Sequence, residues 1–104
     1  MSLIVYIAHA AAGCFLVNGV PHFVQGISGH KFQSPFASPP GVGESSPVIN
    51  VLWGSFNFIL GSLLLCCVGE FNAGLNLDTF ITTGFALAFA LVLAQHFGKV
   101  RSDS

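Results

Sequence analysis

Hydrophobic positions along the chain fall into three long runs, at residues 3–24, 47–68 and 79–98, none of which contains Lys, Arg, Asp or Glu. A helix needs about 20 apolar residues to cross the hydrocarbon of a bilayer, and each run meets that length. The pattern predicts an all-α polytopic membrane protein. Three transmembrane helices form one transmembrane domain over residues 1–104, with a long ordered or interfacial loop at 25–45 between the first two. The boundaries carry their own markers. Ser46 before Pro47 reads as an N-cap followed by proline at the first helical position, where its missing N–H costs nothing. Asn76 and Asp78 are expected to cap the third helix. Pro21 is expected to kink the first helix near its inner end or to stop it. That first run has no positive flank and stays apolar to Asn18 and Pro21, so it is expected to be kept as a span rather than cleaved as a signal peptide.

The 25–45 segment is rich in Gly, Ser and Pro, yet holds Phe32 and Phe36. Two arrangements fit it: rings dipping into a headgroup layer, or an ordered lid folded over the inner helix ends.

Composition sharpens the picture. Of the 104 residues, 53% are hydrophobic and 7% are charged, where a soluble domain carries roughly 25% charged residues. Three Lys and Arg in all supply no basic stripe, so no nucleic-acid partner is expected. Their positions set an orientation. Lys31 lies between the first two spans and Lys99 and Arg101 follow the third, which puts all three on one side. The positive-inside rule then places the N-terminus outside and the C-terminus in the cytoplasm. Tyr6 and Trp53 are expected near the outer and inner interfaces as aromatic anchors.

Helices in lipid associate through small residues and a few polar contacts. Thr82, Ala86, Ala90, Ala94 and Gly98 recur every four residues as a helix-packing or oligomer ridge. Gly84, Ala88 and Gln95 mark a second face of the same helix. In the second span, Asn50, Trp53, Gly54, Asn57 and Gly61 share one arc, with Leu52, Phe56, Ile59, Leu60 and Leu63 opposite. In the first, Ala11, Phe15, Asn18 and His22 share an arc, and His9 lies across from them. Amides avoid hydrocarbon, so the polar arcs should face inward.

Depth gathers these residues into a candidate site. Asn18, His22, Asn50, Trp53, Asn57, Gln95 and His96 all fall toward the inner leaflet, beneath the loop that carries His30. They are the ligand-binding candidates, since intramembrane polar groups mark functional sites unless they merely join helices. His22, His30 and His96 are the candidates for metal, and His22 with His96 for haem, although neither cofactor is predicted outright. His9 is expected to be a packing residue, hydrogen-bonded to Thr82, Thr83 or Ser62. Cys14, Cys66 and Cys67 sit in apolar runs without zinc or redox spacing. No phosphate loop, His-Glu-x-x-His or catalytic triad spacing is present, and no catalytic residue is assigned.

Residues 21–54, PHFVQGISGHKFQSPFASPPGVGESSPVINVLWG, resemble a segment of small bacterial multi-span membrane proteins without an assigned function. The resemblance covers about a third of the chain and implies a bacterial cytoplasmic (inner) membrane. It names no activity and no site residue. The functional expectation is an oligomer-forming or accessory subunit without catalysis of its own, whose partners are lipid and copies of itself or a larger membrane protein. The alternatives are binding of a small molecule, lipid, haem or metal at the inner polar cluster, or an oligomeric pore or transporter lined by Asn50, Asn57 and Gln95.

Overall fold

A computed structural model describes residues 2–102. Helix α1 (Leu3–Ile27) leads into a loop carrying strands β1 (Phe32–Gln33) and β2 (Glu44–Ser45), then α2 (Pro47–Cys66) and α3 (Leu77–Ser102). The fold is all-α, and all three helices are long and apolar enough to span a membrane.

Local chemistry sets the helix ends. The Ser2 hydroxyl accepts from the Val5 N–H, and Ser46 with Pro47 opens α2 as expected, its hydroxyl accepting from the Ile49 N–H at 3.2 Å. Asn76 caps α3, accepting from the Thr79 N–H at 2.8 Å. Asp78, expected to share that role, turns instead toward His9. Lys99 and Arg101 occupy the last turn of α3, where the helix dipole favours cations. Helix α1 continues through Pro21 to Ile27, so the proline does not end it. It costs one backbone hydrogen bond within a helix that neighbours hold on two sides. The loop is correspondingly shorter than 25–45, and α3 runs further in both directions than 79–98.

Helix α1 is central. It lies along α2 on one side and α3 on the other, and those two scarcely meet. The α1–α2 seam closes on glycines: a Cβ at Gly54 would stand 2.7 Å from the Phe23 nitrogen and 2.9 Å from the Gly19 carbonyl oxygen. The α1–α3 seam closes at Gly13, whose missing Cβ leaves room for the Thr82 carbonyl and for Ala86. Further along, Ala90 and the exposed Ala94 stand across an open groove from Val17, Val20 and Pro21. Thr82 and Ala86 of the small-residue ridge thus serve packing within the chain, whereas Gly98 and Gly84 have open space around them.

Burial is inverted relative to a water-soluble domain. His9, Asn50 and Asn57 are 0% exposed, while Leu52, Ile59 and Leu87 are 60% exposed or more. Among the described residues only Ala12 and Phe32 form a buried hydrophobic core. The α2 arc is arranged as its sequence predicts, with Asn50, Gly54, Asn57 and Gly61 inward.

Candidate functional site

The loop between α1 and α2 is ordered and folds over the helix ends. Its two short strands pair antiparallel, Phe32 opposite Ser45 and Gln33 opposite Glu44. Phe32 is buried, so it does not dip into a headgroup layer; Phe36 stays exposed and meets Trp53 edge-on at 5.1 Å. Two residues of α3 hold the loop from the far side. His96 Nε2–H donates to the Gly41 carbonyl at 2.7 Å, and Arg101 donates to Gln33 Oε1 at 3.0 Å. The Arg101 guanidinium also lies 4.9 Å from the centre of the Phe32 ring, a cation–π distance. Its ion pair with Glu44, at 3.8 Å between half-exposed groups, adds little.

Asn50 joins loop to helices. Its amide NH2 faces three carbonyls, Phe32 at 3.1 Å, Ser45 at 3.2 Å and Ser46 at 3.1 Å. That fixes which end of the amide is nitrogen. The other end, Oδ1, therefore accepts from His22 Nδ1 at 2.8 Å. The tautomer of His22 follows: Nδ1 carries the proton, and in the neutral ring Nε2 keeps its lone pair. The same logic runs one turn earlier. The Asn57 NH2 donates to the Trp53 carbonyl at 2.8 Å, so its Oδ1 accepts from the Asn18 NH2 at 3.0 Å. Asn18 Oδ1 is then an acceptor with no protein partner among the described residues.

These groups surround a chamber of about 230 Å³ lined by Asn18, His22, Gln33, Ser34, Pro35, Gly41, Trp53, His96 and Phe97. The His22 ring stands edge-on to Phe32, Trp53 and Phe97 at 5.3, 6.3 and 6.1 Å between centroids. Trp53 Nε1–H is buried without a protein partner. Buried donors are rarely left so, because each costs about 1–3 kcal/mol. No Lys, Arg, Asp or Glu lines the chamber.

Of the residues read from sequence, Asn18, His22, Trp53 and His96 line this chamber, and Asn50 and Asn57 stand behind and orient them. Trp53 lines the chamber with one part of its ring and borders an apolar groove with Phe36, Ile49, Leu52 and Phe56 with another. Gln95 is exposed and does not line it, and it shares no surface with the buried Asn50 and Asn57. His30 is exposed and bonds Gln25 at 3.0 Å. No group of three His, Cys, Asp or Glu among the described residues could hold a metal ion. The cysteines are free thiols. Sequence reasoning missed Gln33, Ser34 and Phe97, and the only signal for the loop residues was a phenylalanine inside a Gly/Ser/Pro-rich stretch. Asn50→Leu should release the loop: two carbonyls of the loop and His22 lose their partner, at about 1–3 kcal/mol. Amide hydrogen exchange over residues 32–45 should accelerate about tenfold or more, with α3 little changed.

The opposite end holds a second buried polar group. His9 Nδ1 lies 2.7 Å from both carboxylate oxygens of Asp78, and Nε2 donates to the Val68 carbonyl at 2.7 Å. Its partners are therefore not Thr82, Thr83 or Ser62. Thr83 bonds the Thr79 carbonyl, and the Thr82 hydroxyl has no protein partner. The His9 ring also meets Phe71 edge-on at 5.6 Å.

Compared with known proteins, the chain matches no family model, no curated protein and no solved structure.

Proposed function

We propose that this chain is a multi-pass membrane protein that binds a small molecule in the chamber beneath its 28–46 loop. Membrane residence is supported by the inverted burial: leucines and phenylalanines outward, amides and imidazoles inward. The orientation follows from Lys31, Lys99 and Arg101 sharing one end, which faces the cytoplasm, with the N-terminus outside. A bacterial inner membrane fits the resemblance of residues 21–54. The observation that carries the binding reading is one cavity lined by Asn18 and His22, whose Oδ1 and Nε2 have no protein partner, and by Trp53, whose N–H is buried without one.

Native mass spectrometry of protein released directly from membranes tests this. The wild-type chain should carry a small-molecule adduct that His22→Phe loses. Bare protein in both samples would overturn the reading.

A second reading, an oligomer-forming or accessory subunit, is favoured by α3. Its outer face leaves Gly84 open between Phe80, Phe85 and Ala88, around a groove of about 350 Å³. The same spectra report it through stoichiometry: a defined multimer or heteromer that Gly84→Leu dissociates supports it, and a lone monomer removes it.

A further inference from the structure

From the way the polar chamber adjoins an apolar groove we infer that its ligand is a single-tailed amphiphile with an uncharged head, taken up sideways from the bilayer. This deepens, and rests on, the binding reading above. A groove of about 470 Å³ runs between Val17 and Val20 of α1 and Ala90, Leu93 and Ala94 of α3. No polar side chain lines it, and both helices are long and apolar enough to span a membrane, so it opens on hydrocarbon. Small side chains make it: Ala90 and Ala94, four apart on one face of α3, stop at Cβ. Towards the C-terminal end of α3 the groove meets Phe97, and the same ring lines the chamber. Phe32, buried in β1, completes the partition. Its ring centre lies 4.7 Å from that of Phe97, and His22 meets both rings edge-on. Groove and chamber thus share a wall one side chain thick.

Each space suits one half of such a molecule. The groove offers contact to a hydrocarbon tail and nothing to a polar group. The chamber, at about 230 Å³, lies below the usual 300–1,000 Å³ of drug-sized pockets and has room for a head of about one ring. Water satisfies the chamber's polar groups but leaves the groove to bulk lipid. An amphiphile joins the two spaces past the edge of Phe97, and that coupling distinguishes it from water and from surrounding lipid alike. Charge narrows the head. No Lys, Arg, Asp or Glu lines the chamber, and Arg101 is turned to Gln33 and Glu44. An ionic head would enter unmatched, which is strongly disfavoured. The same argument excludes phospholipids, whose phosphate would need a partner there.

Purified full-length protein in phosphatidylcholine nanodiscs is given a monoacylglycerol whose tail carries a diazirine. Light fixes the tail where it lies, and peptide mass spectrometry maps the adducts. Labelling should concentrate on Val17, Val20, Ala90, Leu93 and Ala94 and should saturate. Unlabelled monoacylglycerol should compete about tenfold or more effectively than an alkyl sulfate or alkyltrimethylammonium of equal chain length. Ala94→Phe fills the groove from an exposed position and should cut labelling about tenfold. Ile59→Phe, on the exposed side of α2, should leave it unchanged. Unsaturable labelling of the wild-type protein, or labelling spread equally over Ile59 and Leu63, overturns the proposal and needs no variant to fold. Equal competition by the charged chains overturns it too, because the head then lies outside the chamber. If labelling is unsaturable while native mass spectrometry retains an adduct that His22→Phe loses, the amphiphile falls and the binding reading stands. If neither saturable labelling nor an adduct is found, both fall.

Discussion

Gly54→Val is expected to disrupt the α1–α2 pair more severely than any other single change considered. The added Cβ would be 2.7 Å from the Phe23 nitrogen, 2.9 Å from the Gly19 oxygen and 2.9 Å from the Phe23 Cβ. Two of these three atoms are main chain and the third is fixed to it, so no rotamer change relieves the overlap. The helices must separate, and separation removes contacts along the whole seam. Overpacking costs about 1–3 kcal/mol where side chains can yield. Here they cannot, and the loss should reach or exceed the top of that range. The consequence extends beyond stability, because Asn18–Asn57 and His22–Asn50 both cross this seam. Thermal unfolding in detergent, read by helical circular dichroism, should show the midpoint falling by several degrees or the transition losing cooperativity. An unchanged transition would mean that α1 and α2 do not cross as closely as described.

Asp78→Leu should have the second largest effect, at the other end of the molecule. It leaves the fully buried His9 without its carboxylate while the Val68 carbonyl still holds the ring. Removing one member of a buried ion pair costs about 3–5 kcal/mol in soluble proteins. Polar contacts between membrane helices average about 0.6 kcal/mol, since partners are also found in the unfolded state. The bidentate approach of Asp78 and the complete burial of His9 argue for a value of roughly 3 kcal/mol, at the lower edge of the first range. A double-mutant cycle separates the terms. His9→Leu with Asp78→Leu should recover part of the loss, because an apolar pair leaves no orphaned ring at that position. Additive losses would show that the two side chains do not interact.

The parts of this architecture written in local pattern were legible in the sequence. The three helices and the inward α2 arc follow from periodicity, and the start of α2 follows from Ser46 and Pro47. What periodicity does not contain is the partner across space. Helix arc and depth together gather Asn18, His22, Asn50, Asn57 and Trp53, and depth adds His96, which finds the neighbourhood but not which residues face the chamber. Depth also admitted Gln95, because it ignores where a residue lies around the helix. The His9–Asp78 pair was within reach. A three-span topology puts the start of α1 and the start of α3 at one end, and Asp78 is the carboxylate next to a span there. The capping preference of aspartate pointed to a local role, and a long-range partner won. The ordered loop was least legible, since its order comes from Asn50, His96 and Arg101, all outside it.

The central position of α1 has a consequence for biogenesis. Synthesis delivers this helix before α2 and α3, and domains assemble from the N-terminal side as the chain emerges. Because α2 and α3 each rest on α1 and scarcely on one another, each newcomer finds its berth already waiting. Neither must pause for a segment still inside the ribosome.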